Sequence, residues 1–270
     1  MAPGERERGG GLEARASDTF AKLLRAHARE RPTRPAFRHK DLGLWQSWTW
    51  AETYDETRAL ALGLLGLGLG RGETIAIAGA NRPRLYWAMT AAQMIGAIPV
   101  PVYADAVADE IAAVLDDSQA SAVVAQDQEQ IDKILSVRER LPRLAHLLYD
   151  EPRGLEAYLE PGLDPLEAVM ARGRVALADA KAAADLDERI DASSGADPSV
   201  ILYTSGTTGR SKGVVILAAR AVEAARSTVA FDKLTDRDET LAYLPLAWVG
   251  DYYLSYVQGM LTGFLSLIHI

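Results

Sequence analysis

The sequence predicts an α/β fold, with parallel sheets covered by helices on both faces. Three observations carry that prediction. Short, almost wholly apolar runs (TIAIAG, IPVPVY, SAVVAQ, AHLLYD) recur along the chain. Segments with apolar residues at helical spacing separate them. Strands apolar on both faces belong to sheets buried on both sides, and strand–helix alternation is the pattern of such sheets.

The elements follow in order. MAPGERERGGGLEARASD has no apolar core, so residues 1–16 read as a disordered polar tail and not as a secretory signal. Ser17 or Asp18 is placed to cap a helix whose Phe20, Leu23, Leu24 and His27 share one face. PAFRHKDLGLWQSWTW reads as two short strands around the turn signal KDLG, with Trp48 and Trp50 pointing the same way. Helical spacing returns in AETYDETRALALGLLGLGL, followed by a turn at GRGE and the buried strand TIAIAG. Next come a helix over RLYWAMTAAQMIGA, the strand IPVPVY, a helix near VADEIAAVLDDS and the strand SAVVAQ. IDKILSVRERLP is another helix and AHLLYD another strand. The stretch 151–198 is less regular: EPRGLEAYLEPGLDP is turn-rich, and RVALADAKAAADLDERIDASSGADP reads as a solvated helix ending in a loop. The acidic pairs Asp116/Asp117 and Asp236/Asp238 read as solvated or capping, and Trp45, Trp48 and Trp50 as packing residues.

Composition narrows the function classes. The chain has 270 residues, 49% hydrophobic and 24% charged, enough to bury a sizeable core in one large or two small domains. A formal net charge of -8 excludes a global basic footprint, so no nucleic-acid partner is expected. The absence of cysteine excludes a disulfide scaffold and a thiolate zinc site, and fits a reducing, cytoplasmic compartment. His27, His39, His146 and His269 are scattered, no two at metal-ligand spacing, and no hydrolase triad signature is present. No apolar run reaches the ~18 residues a membrane span needs.

One stretch concentrates chemistry. VILYTSGTTGRSKGVVIL, residues 200–217, sets glycines, hydroxyls, Arg210 and Lys212 between two apolar runs. It is no Walker loop, because Ser211 stands where glycine should precede Lys212, and VVIL favours strand over helix. No glycines in GLLGLGLGRG satisfy the Rossmann fingerprint either. Flexible glycines let successive backbone N–H groups converge into an anion nest. Thr204, Ser205, Thr207, Thr208 and Ser211 add hydroxyls for phosphate or Mg²⁺, while Lys212 adds a point charge. The alternative is a solvent-exposed hairpin turn, since Gly, Ser and Thr are common turn residues.

YTSGTTGRSKGVV resembles the phosphate-loop signature of the adenylate-forming (AMP-binding) superfamily, which includes acyl-CoA synthetases, luciferases and peptide-synthetase adenylation domains. WTWAETYDETRALALGLLGLGL, MIGAIPVPVYADA and LAYLPLAWVGDYY resemble other motifs of that superfamily, in order. GLWQSWTW, ANRPRLYWAM, AQDQEQIDKI and YDEPRGL are most similar to its long-chain fatty acid–CoA ligases. The resemblance implies that residues 17–270 are part of a large N-terminal AMP-binding domain, with the phosphate loop at 203–213 and the small C-terminal domain absent. It implies ATP-dependent activation of a carboxylic acid to an acyl-adenylate, then thioester formation with coenzyme A. ATP, Mg²⁺ and coenzyme A are the implied cofactors, and a fatty acid the implied substrate. Thr204, Ser205, Gly206, Thr207, Thr208, Gly209, Lys212 and Gly213 match the family's phosphate-binding positions, and Trp248 and Tyr252 fall in the motif lining the acyl pocket. Asp251 is placed to hydrogen-bond within the site or to cap a helix. Ser211 replaces the family's usual proline, and Leu217 and Ala218 replace a Thr-His pair. The family's catalytic groups lie further on, so no catalytic residue is assigned, and SLIHI departs from the usual continuation. The expectation is a truncated or frame-shifted chain, aggregation-prone and inactive alone. A non-catalytic nucleotide-binding remnant and a peptide-synthetase-like adenylation domain are the alternatives. Peripheral membrane contact stays open, because long-chain substrates partition into lipid although no amphipathic anchor is evident.

Overall fold

The computed structural model describes residues 19–204 and 211–268. The expected tail at 1–16 lies outside them, as do Ser17 and Asp18. The α/β expectation holds. Helix α1 (Phe20–Glu30) is capped by Thr19, whose hydroxyl accepts from the Lys22 N–H, just past the residues the sequence points to. Its buried face is Phe20, Ala21, Leu24 and His27.

Strands β1 (Pro35–Asp41) and β2 (Leu44–Thr49) form a hairpin about Leu42 and Gly43, both at positive φ (46° and 83°). Such a two-residue turn follows the twist of its strands, and glycine takes the second position without strain. Trp50 does not continue β2 as expected; it is the first residue of α2 (Trp50–Gly66). The Thr49 hydroxyl accepts from the Glu52 N–H while the Glu52 carboxylate accepts from the Thr49 N–H at 2.8 Å. This reciprocal box satisfies two orphan donors and stops the strand. Trp48 packs edge-on against Trp87 and Trp50 lies in the core, but Trp45 is half-exposed beneath the Lys40 ammonium.

The larger sheet is all parallel: β3 (Thr74–Ala78), β4 (Ile98–Val102), β5 (Ala122–Ala125), β6 (His146–Tyr149) and β7 (Leu163–Pro165), in the order β4-β3-β5-β6-β7. Both faces are covered. Ile75, Ile77, Val124 and Leu148 enter the main core with α2 and α3 (Pro83–Met94). Ala76, Val100, Val123 and Leu147 face α4 (Ala108–Asp117) and α5 (Gln128–Leu135).

The stretch that reads as irregular supplies β7 and two helices, α6 (Leu166–Leu177) and α7 (Ala180–Ala192). Asp179 separates them, its carboxylate accepting the Lys181 N–H at 2.8 Å. Neither is a merely solvated helix, for Val169, Met170, Leu186 and Ile190 are fully buried. Helix α6 meets α2 at glycine: an ideal Cβ on Gly173 would stand 1.7 Å from the Ala59 carbonyl oxygen. Arg84 with Asp150 and Glu167, and Arg174 with Glu167 and Glu56, tie α3, α6 and α2 to the end of β6.

A second sheet has the order β10-β11-β1-β2, with β10 (Glu239–Ala242) and β11 (Leu265–Ile268). Strand β11 sits between β10 and β1, parallel to both. Strands β8 (Pro198–Thr204) and β9 (Lys212–Leu217) form an antiparallel pair leading into α8 (Ala218–Asp232). After β10 come α9 (Val249–Asp251), a π-helical stretch Tyr252–Val257 and α10 (Gln258–Thr262). The acidic pairs do more than cap or solvate: Asp117 accepts the Tyr203 hydroxyl at 2.6 Å, and Asp236 pairs with Arg34 and Arg31. No helix among the described residues is long and apolar enough to cross a membrane.

Candidate active site

The chemistry-rich stretch begins at the end of β8 and ends at the start of β9, which pair with each other. Thr204 and Lys212 are register partners at its open end, and both are exposed. One step in, Tyr203 faces Gly213, where an added Cβ would come within 2.9 Å of Ile201 and 3.1 Å of the Tyr203 ring. Gly213 therefore lets the two strands close over the tyrosine. Burial and the hydrogen bond to Asp117 push the Tyr203 hydroxyl well above the usual phenol range, so it stays a neutral donor. At the base of the pair the Ser199 hydroxyl donates to the Ile216 carbonyl (2.8 Å). Of the two departures, Ala218 is buried in the main core and Leu217 is half-buried. Ser205, Gly206, Thr207, Thr208 and Gly209 lie outside the described residues.

A cleft of about 500 Å³ opens elsewhere, lined by Gly79 to Asn81, by Ala104 and Asp105, and by 241–246. These are the segments that follow β3 and β4, and the last residues of β10 with those after it, from three strands of two sheets. The C-terminal ends of parallel strands are the usual seat of ligands in open α/β sheets. Almost all of the lining comes from three stretches distinctive in sequence: ANRPRLYWAM, MIGAIPVPVYADA and LAYLPLAWVGDYY. Folding brings them together.

Asn81 joins two of them. Its side-chain amide donates to the carbonyls of Ala242 (3.0 Å) and Leu244 (2.9 Å) and to the Asp251 carboxylate (3.1 Å). The Tyr86 hydroxyl donates to the other Asp251 oxygen at 2.7 Å. Asp251 is 0% exposed, and burial pushes its carboxyl up to about 6, with the hydrogen bonds from Tyr86, Ser255 and Asn81 opposing that shift. Of its two sequence roles, Asp251 takes the hydrogen-bonding one; it precedes the π-helical stretch Tyr252–Val257 but its side chain makes no cap there. Sequence reasoning misses Asn81. The available signal is a polar amide placed directly between a buried strand and a helix opened by proline.

Trp248 is 45% exposed, whereas Tyr252 lies wholly in the core, its hydroxyl 2.7 Å from Ser199 Oγ and its ring against Phe20 and Tyr256. No three acidic, histidine or cysteine side chains converge as metal ligands among the described residues.

The AMP-binding enzyme family matches residues 24–266, nine-tenths of the chain. The chain belongs to that family. This AMP-binding domain is 30% identical over 241 residues to the long-chain-fatty-acid–CoA ligase FadD15 of Mycobacterium bovis, a match covering 86% of the chain but 37% of that relative. Against the long-chain-fatty-acid–CoA ligase ACSBG2 of Xenopus laevis it is 28% identical, covering 82% of the chain and 30% of the relative. A solved structure of a protein assigned as a long-chain-fatty-acid CoA ligase from Rhodopseudomonas palustris superposes with a TM-score of 0.75 at 27% identity, covering 93% of this chain and 57% of that one. Acetoacetyl-CoA synthetase from Streptomyces lividans shares the fold with a TM-score of 0.77 at 21% identity, over 93% and 38% of the two chains. The chain thus spans less than two thirds of each of these relatives.

Proposed function

We propose that this AMP-binding domain carries the ATP-gripping part of an acid–CoA ligase whose acid is a long-chain fatty acid. The observation that carries the reading is the loop YTSGTTGRSKG, set between β8 and β9 in a chain that matches the AMP-binding family almost throughout. In this reading a carboxylate oxygen of the acid attacks the α-phosphorus of ATP, and the bond to pyrophosphate breaks. The thiol of coenzyme A then attacks the acyl carbon and AMP leaves. Both steps call for positioning and charge neutralisation more than for a protein nucleophile.

The described residues suit a polyanion. Lys212 offers an ammonium and Thr204 a hydroxyl at neighbouring, exposed register positions, both able to donate to phosphate oxygens. Ser205, Gly206, Thr207, Thr208, Gly209 and Gly213 complete the proposed phosphate-binding set. Mg²⁺ would neutralise part of the charge on the triphosphate. The strand-end cleft is the proposed chamber for the reacting acid, and half-exposed Trp248 the proposed contact to its chain. The long-chain preference follows the activity of the two ligases to which the chain is similar.

Equilibrium dialysis with ATP and Mg²⁺ tests the reading. Lys212→Ala removes a charge-assisted contact, and we expect affinity to fall roughly ten- to a hundredfold. Equal affinities in chain and variant would show that the loop does not hold the phosphates.

A further inference from the structure

We infer that Asn81 and Asp251 act as a positioning clasp that fixes the cleft wall 241–246 and holds Tyr243 toward whatever the cleft receives. The inference rests on the proposed role of the cleft.

Strand β10 ends at Ala242, and its hydrogen-bonded neighbour is β11. The wall beyond that point leaves the sheet, so ladder bonds no longer fix its path. Leu246 anchors its far side in the core and the Trp248 N–H donates to the Pro245 carbonyl; the stretch between Ala242 and Pro245 is held by side-chain chemistry. The carbonyls of Ala242 and Leu244 bracket Tyr243, and both accept from the one amide of Asn81. Tyr243 lines the cleft and is 74% exposed, so the bracket keeps a large ring in the open when burial would otherwise favour its collapse.

Asn81 is itself held. Its position follows Gly79, whose φ of 150° and closeness to Gln126 leave no room for a side chain, and the Ala80 N–H donates to Gln126 Oε1 at 2.6 Å. Two N–H hydrogens meet three acceptors, so the amide is fully committed as a donor. Asp251 supplies the third acceptor from α9 and is oriented by Tyr86 from α3. The clasp therefore joins β3's end, the cleft wall, α3 and α9 through one set of polar atoms, part-buried at Asn81 and buried at Asp251. Neither side chain need touch the reacting atoms; each acts through the wall.

Amide hydrogen exchange on the 270-residue chain reads the clasp directly, using two isosteric changes with opposite expectations. Asn81→Asp removes both donors and sets two carboxyls against each other. Exchange across 240–248 should quicken at least about tenfold, while Pro83–Met94 of α3 keeps its rate. Asp251→Asn retains an acceptor for Asn81, so 240–248 should keep its protection. Unchanged exchange in Asn81→Asp overturns the proposal. Equal acceleration in the wall and in α3 overturns it too, because Asn81 would then serve general stability. Loss of protection confined to the wall in Asp251→Asn would show that the pair does not work through that acceptor, and the clasp would fall on that result as well. Dialysis of ATP against the unaltered chain reports separately on the function, so a failed clasp and a failed functional reading give different patterns.

Discussion

Gly173→Ala should cost about 3 kcal/mol or more, a large share of what a domain of this size has to lose. The added carbon would stand 1.7 Å from the Ala59 carbonyl oxygen and 2.9 Å from the Gly63 nitrogen, both backbone atoms of α2. A rotamer change cannot relieve a clash with backbone, so α6 and α2 must separate along their crossing. That separation would also disturb Val169, which is fully buried and already lies against Gly63. Gly66→Ala is the matched control: it lies at the exposed end of α2 with nothing within 4 Å of the new carbon. It should gain a few tenths of a kcal/mol, up to about 1, from lost freedom in the unfolded chain. Urea midpoints of the two variants should move in opposite directions. Coincident midpoints would mean that the helices do not meet at Gly173.

The second large effect concerns pH. Folding raises the Asp251 carboxyl from 3.8 to about 6, chiefly by burial. Protonation therefore favours the folded chain. The contribution is fully present below the unfolded value and is lost as pH rises through about 6. Roughly two units correspond to about 3 kcal/mol. Asp251→Asn cannot titrate, so the stability of the variant relative to the unaltered chain should rise by about 2–3 kcal/mol between roughly pH 4 and pH 6.5, then level off. Taking the difference removes the other shifted carboxyls, such as half-buried Asp150, which titrate in both proteins. Urea unfolding at several pH values gives the curve. A difference that stays flat across that window would sink the assignment of a buried, proton-favouring carboxyl.

Much of the fold is legible because burial on both faces leaves apolar strands such as TIAIA and AVVA with few polar interruptions. Helices α6 and α7 are harder to read. Turn-rich residues precede them, and α6 is buried partly through a glycine, which carries no periodicity signal. Trp50 reads as strand because aromatic residues favour strands, whereas Thr49 and Glu52 three apart are the stronger, local instruction to begin a helix. For the site, the loop announces itself by composition, since glycines, hydroxyls and a lysine sit side by side. The Asn81–Asp251 contact does not. Its members stand 170 residues apart, and a single asparagine or aspartate has no signature until the chain closes on itself.

Strand β11 carries a consequence for how the chain is made. It pairs His39 of β1 with Ile268, residues about 230 positions apart, and it does so from the middle of its sheet. A ribosome adding about 5–20 residues per second would need roughly ten to fifty seconds to bridge that gap. During that interval the nascent hairpin of β1 and β2 emerges with one backbone edge unclaimed, next to the apolar side chains of Ala36 and Phe37. The larger sheet, built from strands close in sequence, can assemble while translation continues. The smaller one must wait for its centre, so the timing of synthesis governs when that edge stops being an invitation to other chains.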